Sequence, residues 1–359
     1  MKYTDEFPIL NEYTYLNTAS SGLLSNTIAK WRTQHDTEFL NQASIFRLDC
    51  AQQVQQTKLN ISSLFNVKPE NTFLVPNFSF GFNTLLNGLE KQHRFLTLKE
   101  DYPSLSFPIT SLGFHFKEID IDENLEANII SAIETFKPTV FAFSMVQYIS
   151  GIRISNAFIQ KLKSSFPDLL LIADGTQLIG TCPFDFEMSG LDALIGSSYK
   201  WLLGGYGNGY VFMSDRIRNA LYLTRKNTSL PTAPFLAGRA FLSLCFEPGH
   251  MDTLNYGTLN QSLNYLKTIG LDTIEKQTQS VSAKARLALN DRGFIPDYML
   301  ERDAHSAIMG IRLDQQMVEK IQQAKILDTP RGEFRRFSFH FYNTDADVQK
   351  LIDVLDRKY

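Results

Sequence analysis

The sequence predicts an α/β protein: a mainly parallel, seven-stranded sheet with helices on both faces, followed by a smaller α+β C-terminal domain. Three observations point there. Between residues 72 and 213, seven short β-branched and aromatic runs alternate with helical patterns, the signature of βαβ units. At 359 residues with 43% hydrophobic content, the chain can fill two cores. After residue 249 the pattern changes to long helical stretches followed by strands, which marks a domain change near 250.

In chain order, helical segments are expected over Thr27–Leu40 and Cys50–Phe65, the second entering the sheet through a turn at Pro69. The strand candidates are Phe73–Val75, Arg94–Leu98, His115–Ile119, Val140–Ser144, Leu169–Ala173, Ala193–Ile195 and Tyr210–Met213. Between them, Asn124–Phe136 and Asn156–Phe166 space their apolar residues helically, and Pro138 and Pro167 end them. Beyond 250, helices are expected at Leu259–Ile269 and Thr273–Leu289, with strands near Ala307–Leu313 and Arg335–Phe339. A final helix follows, with Asp345 as its cap and Val348, Leu351, Ile352 and Leu355 as its apolar stripe.

Composition narrows the class of function. The 35 basic and 38 acidic residues are mixed along the chain, leaving no electrostatic footprint for nucleic acid and favouring a small-molecule partner. Cys50, Cys182 and Cys245 form no CxxC pair, so neither a disulfide framework nor a thiolate metal cage is expected, and a reducing cytoplasm fits. The six histidines show no ligand spacing, so no metal site is expected. The first ten residues carry charges and a proline, and no run reaches the roughly 18 apolar residues of a membrane span.

The chemistry concentrates between Leu169 and Tyr210. A buried apolar strand ends in Asp174, and a second apolar run leads into Ser197-Ser198-Tyr199-Lys200. Open α/β sheets place ligands beyond the carboxyl ends of their strands, so Asp174 and Lys200 can face one cavity. A carboxylate there calls for a cationic partner, which a protonated pyridine nitrogen would provide. A partly desolvated lysine amine can attack an aldehyde. Taken singly, a strand-end Asp is usually a turn residue and a loop Lys is usually solvated.

The strings ADGTQ and SSYKWLLGGYGNGYV, in this order and spacing, resemble the class V aminotransferases, fold-type I enzymes dependent on pyridoxal 5'-phosphate (PLP) that include cysteine desulfurases, kynureninases and isopenicillin-N-epimerase-like proteins. The resemblance covers nearly the whole chain. It implies a Lys200 Schiff base to PLP and an Asp174 contact to the ring nitrogen. NFSFGFN resembles the family's phosphate loop, which implies phosphate contacts from Phe78 and Ser79 at a helix start. Tyr102 of DYPSL stands where the family stacks an aromatic residue on the ring, a histidine in the desulfurases. Tyr148 of VQYISG replaces the family's frequent asparagine near the phenolic oxygen, with Gln147 adjacent, and Gln177 matches the glutamine that touches the same oxygen. Ser197 resembles a second phosphate hydroxyl, and Tyr199 stands where desulfurases have histidine.

For the substrate, FRRFSFHFYNTDAD resembles the family's R-x-S strand, which implies that Arg336 binds the α-carboxylate while Arg335 points to the other face. Asn17 of YLNTASSG is the polar candidate bordering the substrate pocket. His250 replaces the family threonine that reaches the partner subunit's phosphate, and a homodimer is implied. The expected organisation is an N-terminal segment, 1–16, packing with the small domain, a large PLP-binding domain, 17–250, and a small domain, 251–359. The glycine run GGYGNG precedes a strand instead of opening a helix, which argues against a dinucleotide site.

Transamination, epimerisation and elimination share the first steps that this resemblance implies. A persulfide-forming desulfurase also needs a cysteine shortly before the R-x-S strand, and the sequence has none after Cys245. The leading expectation is amino-group transfer from an amino acid or related amine. An epimerase or lyase of the same fold is the alternative, and a non-catalytic PLP-fold binding protein a more distant one.

Overall fold

The computed structural model describes residues 3–234 and 236–356, without the side chains of 47–51, so that of Cys50 lies outside the description. The β-branched runs form the strands β1 (Thr72–Val75), β2 (Arg94–Leu98), β3 (His115–Ile119), β4 (Val140–Ser144), β5 (Leu170–Asp174), β6 (Ala193–Ser197) and β7 (Gly209–Met213). They make one sheet in the order β3-β2-β4-β5-β6-β7-β1. All pairings are parallel except those of β7, which runs antiparallel to both β6 and β1. Residues 198–208 join β6 to β7 without a helix, and a connection of this kind suits an antiparallel return.

Strict alternation splits the strands between two cores. Leu96, Phe141, Phe143, Leu171, Ala173, Leu194 and Phe212 enter one core, while Phe95, Val140, Ala142, Leu170, Ile172, Ile195 and Val211 enter the other. Both faces must then be covered, which is why β4 to β7 are wholly buried and apolar apart from Ser144, Asp174 and Ser197 at the carboxyl ends of β4, β5 and β6. The edge strand β3 instead shows Lys117 and Glu118 to solvent, which discourages further strand pairing.

The helices follow the sequence with shifted ends. α1 (Asn26–Gln42) and α2 (Ser44–Leu64) precede the sheet, and α2 begins six residues before the expected Cys50 because the chain breaks only at Ala43, where φ is 47°. Next come α3 (Phe78–Gly88), α4 (Pro103–Ser111), α5 (Leu125–Phe136) and α6 (Asn156–Ser165). α7 (Thr253–Ile269) lies against α1 and α2: Arg32 donates to Thr258 Oγ1 at 2.8 Å, and Asn60 to Asn260 and Asn264. α8 (Leu271–Asn290) supplies Val281, Ala285 and Leu289 to a third core.

That core also contains residues of β8 (Ile308–Arg312), β10 (Phe334–Ser338) and the last helix, α10 (Asp345–Asp356). β8 and β10 pair antiparallel, with β9 (Thr329–Arg331) on the other side of β10, and α9 (Gln315–Gln323) connects β8 to β9. Asp345 does not cap α10 as expected. It is the first helical residue and pairs with Lys284 at 2.5 Å, while Thr344 occupies the cap position and its N–H donates to Asp347 at 2.8 Å. Residues Thr14–Tyr15 pair with Ile326–Leu327, and Leu16 enters the third core. Among the described residues, no helix is long and apolar enough to cross a membrane.

Candidate active site

The carboxyl ends of β4, β5 and β6 open into a cavity of about 250 Å³. Asp174 is the last residue of β5, and Lys200 lies three residues beyond β6. Both side chains line this one cavity, together with Phe78, Ser79, Tyr102, Tyr148, Gln177, Ser197 and Tyr199. Asn77, Ser144, Val146, Thr176 and Tyr206 complete the wall. The N-terminal segment fixes the lysine's backbone from outside. Gly22 N–H donates to the Tyr199 carbonyl at 2.8 Å, and a Cβ on Gly22 would lie 2.0 Å from the Lys200 carbonyl oxygen.

Asp174 and Lys200 are each buried with unmet needs. Burial pushes the Asp174 carboxyl up to about 6, opposed by hydrogen bonding from the Thr176 side chain and from its N–H at 2.8 Å, and by the nearby Lys200 charge. Burial likewise pushes the Lys200 amine down to about 7, opposed by Asp174 and reinforced by the fields of Arg336 and Arg331. Lys200 Nζ makes no hydrogen bond among the described residues and sits 5.8 Å from the Tyr102 ring centre and 5.6 Å from that of Tyr199. A second carboxylate, Asp101, lies behind this pair, fully buried and pushed upward by that burial. It accepts from Tyr102 N–H at 2.7 Å and from Ser144 N–H at 2.8 Å, so it ties the aromatic residue to the end of β4. Asp101 was not singled out from the sequence; its position directly before Tyr102 was the available signal.

At the other end of the cavity α3 begins. Asn77, and not a serine, is its cap, accepting from Phe80 N–H at 2.9 Å. The Phe78 N–H expected to meet an anion donates instead to Ser197 Oγ at 2.9 Å. That leaves the Ser197 proton free to point into the cavity, while Ser197 N–H is held by Thr176 Oγ1 at 3.1 Å. Ser79 N–H and its hydroxyl meet no partner among the described residues, so the first turn of α3 presents free donors where the helix dipole favours negative charge. Tyr199 stacks on Tyr206 at 4.9 Å, and burial pushes its hydroxyl up to about 12, which keeps it a proton donor. Tyr102 and Tyr148 meet edge to face at 5.5 Å.

The remaining expected residues divide. Gln177 accepts from the Trp201 indole at 2.8 Å and donates to the Ala19 carbonyl at 3.0 Å, which fixes its carboxamide and leaves one N–H for a ligand. Gln147 is spent on its own turn, accepting from Ile149 and Ser150 N–H at 2.6 Å each. Arg336 and Asn17 are not part of the cavity wall. Arg336 is 1% exposed and donates to the Tyr148 carbonyl at 2.7 Å and to Ser20 Oγ at 2.6 Å, while its Nε is buried without a partner among the described residues. The Asn17 side-chain oxygen accepts from Thr329, so it anchors the hairpin instead of facing the cavity. Arg335 turns to the opposite face and makes a bidentate pair with Asp328 at 2.5 and 2.6 Å. His250 is exposed and does not line the cavity.

Comparison with known proteins gives the arrangement its place. The model of the family described as aminotransferase class-V matches residues 14–351. The chain belongs to this family. It is 19% identical over 99% of its length to an uncharacterized aminotransferase, YcbU, of Bacillus subtilis (strain 168), of which it covers 97%. Among solved structures it resembles the apo cysteine desulfurase of Thermococcus onnurineus NA1, with a TM-score of 0.83 at 15% identity, covering 99% of this chain and 96% of that one. It also resembles the cystine C-S lyase C-DES in complex with cysteine persulfide, with a TM-score of 0.86 at 16% identity, covering 98% and 99%. At these identities the structural likeness shows the fold, which is that of the fold-type I enzymes.

Proposed function

We propose that this class V aminotransferase is a PLP enzyme that takes the amino group from an amino acid or related amine, with Lys200 as the covalent attachment point and Asp174 as the partner of the ring nitrogen. One observation carries the reading: a carboxylate without a salt-bridge partner and an amine without a hydrogen bond, both buried and both judged among the described residues, face the same cavity. The residues present fit the cofactor. Asp174 supplies the charge a pyridinium needs, Tyr102 offers a ring face, and Ser79, Ser197 and Tyr199 offer donors to a phosphate at the start of α3. The solved C-DES with glycine covalently linked to PLP, TM-score 0.84, has the same fold.

When bound, PLP supplies the electron sink that stabilises negative charge at a substrate Cα. The protein does the rest. Lys200, depressed to about 7, is substantially neutral near pH 7, so its nitrogen would hold the cofactor's aldehyde carbon and, once a substrate amine has displaced it, would be free to accept a proton from Cα. Asp174, held by Thr176, would keep a proton on the ring nitrogen, and Arg336, held against the wall residue Tyr148 by its bonds to the Tyr148 carbonyl and Ser20 Oγ, would receive an α-carboxylate that displaces them. We further read the enzyme as a homodimer, on the family resemblance.

Lyase or epimerase chemistry is the second reading, and the shared fold with a cystine C-S lyase favours keeping it. Persulfide chemistry on a protein cysteine has less support. Cys182 and Cys245 are outside the cavity wall, and residues 324–334, before the R-x-S strand, contain no cysteine. The deciding measurement is turnover of amino acids with and without a keto-acid acceptor: a transferase requires the acceptor, and turnover without one replaces this reading with the second. Lys200→Ala is expected to leave no cofactor on the chain after borohydride reduction and to lower turnover by roughly 10²–10⁴-fold. Normal turnover in that variant would remove Lys200 from the mechanism.

A further inference from the structure

The register of the small hairpin puts two arginines on one face. Thr329 pairs with Arg336 and Arg331 with Phe334 across β9 and β10, and directly opposed residues of an antiparallel pair share a face. Thr329 and Arg331 are two apart on one strand and share that face as well. Arg331 therefore stands beside Arg336, while Arg335 and Pro330 face away.

Both guanidiniums converge on one hydroxyl. Arg336 donates to Ser20 Oγ at 2.6 Å, and Arg331 donates to the same oxygen at 3.5 Å. With two N–H groups on its lone pairs, Ser20 gives its proton to Thr329 Oγ1 at 2.7 Å, and Thr329 donates onward to Asn17. The network holds the two cations together but supplies no negative charge. Arg335 and Arg312, on the same small sheet, have Asp328 and Glu333 as partners. Arg331 and Arg336 meet no carboxylate among the described residues, and the fields of both reach Lys200. Arg331 is half-buried, so it can still be approached, and its only other hydrogen bond among the described residues goes to the Pro330 carbonyl.

We propose that Arg331 is a specificity-determining residue that binds a second carboxylate on the substrate, so that the preferred amino acids are dicarboxylic. The inference rests on the reading of Arg336 as the α-carboxylate site. Their contacts to Ser20 Oγ, at 2.6 and 3.5 Å, keep the two terminal nitrogens within about 6 Å of each other, close enough for one small substrate with two carboxylates to meet both. A substrate with one carboxylate would neutralise one cation and leave the other uncompensated beside it.

The test is equilibrium binding of L-glutamate, L-glutamine, L-aspartate and L-asparagine to the PLP-loaded protein, followed calorimetrically, for the native chain, Arg331→Ala and Arg331→Lys. Each acid and its amide differ in one charge at nearly constant shape. The native protein is expected to prefer the acids by tenfold or more. Arg331→Ala should abolish the preference while leaving amide affinity within about twofold, and Arg331→Lys should restore part of it. Equal affinity for acids and amides in the native protein overturns this inference and leaves the proposed function standing. Equal losses for acids and amides in Arg331→Ala, with the Lys variant no better, also overturn it, because Arg331 would then share the α-carboxylate or merely support the hairpin. Binding of none of the four overturns both the inference and the amino-acid reading of the site.

Discussion

Two buried aspartates at opposite ends of the same sheet show how differently a fold can treat one side chain. Asp192, directly before β6, is 1% exposed and fully provided for: Lys163 Nζ lies 2.7 Å from one oxygen, Leu171 N–H donates at 2.8 Å, Ser214 donates at 3.3 Å and Arg216 lies at 3.8 Å. Asp174, at the end of β5, is nearly as buried at 6%, but among the described residues its carboxylate has hydrogen bonds from Thr176 alone and no salt bridge. The protein meets the needs of the first carboxylate and leaves those of the second open. A buried charge is tolerated when it is paired, so the unpaired one marks the place of a ligand. The hairpin repeats the contrast, with Arg335 satisfied by Asp328 and Arg336 left without an acid among the described residues.

The comparison breaks if the two aspartates respond alike to substitution. Asp174→Asn is expected to lower turnover by about 10²–10⁴-fold, the range for a group whose proton is in play, with little loss of apoprotein stability. Asp192→Ala should do the reverse, destabilising by about 3–5 kcal/mol in urea titration because it strands Lys163 and the Leu171 N–H, with per-molecule turnover retained. Similar stability losses in both variants would mean that Asp174 is structural too. A smaller effect is expected of Gly22→Ala, whose new methyl meets the Lys200 carbonyl oxygen, at about 1–3 kcal/mol together with weakened cofactor retention.

The mildest expectation is in pH. Because burial raises the folded Asp174 pKa from about 4 to about 6, the folded apoprotein binds this proton more tightly than the unfolded chain does. Its contribution to stability is complete below about pH 4 and disappears as pH rises through about 6. Lys200 has the opposite sign of shift: a lysine lowered to about 7 adds stability as pH rises from about 7 toward its ordinary value. The pH profile of apoprotein stability should therefore fall between about 4 and 6, and Asp174→Asn should flatten that fall. Identical profiles in the two proteins would show that the carboxylate is better solvated than its burial indicates.

The positions of the strands were readable because apolar alternation and strand length are local properties; all seven expected runs lie within two residues of the observed strands at either end. The direction of β7 was not readable, because it depends on how residues 198–208 return across the sheet. The capping of α10 was misread because Thr344 and Asp345 are both good caps, and only the packing of Lys284 against Asp345 separates them. At the site, nine expected residues line one cavity, yet Asn17 and Arg336 are not in its wall, and Asp101, Thr176 and Tyr206 were not among the expected residues. Those three act through neighbours brought close by folding, which no spacing along the chain records.

What the sequence determined by itself was the succession of elements and the identity of the two groups, a strand-end acid and a following lysine, whose chemistry is a property of residue type. Which charges remain unpaired was decided only in three dimensions. Asp192 and Asp174 are the same residue in similar apolar settings, and Arg335 and Arg336 are adjacent, but pairing depends on partners 7 to 29 residues away or on none at all. Electrostatic compensation acts over a few ångströms of space and is indifferent to chain distance, so the acid and amine left for a ligand become visible only once every other charge has found its neighbour.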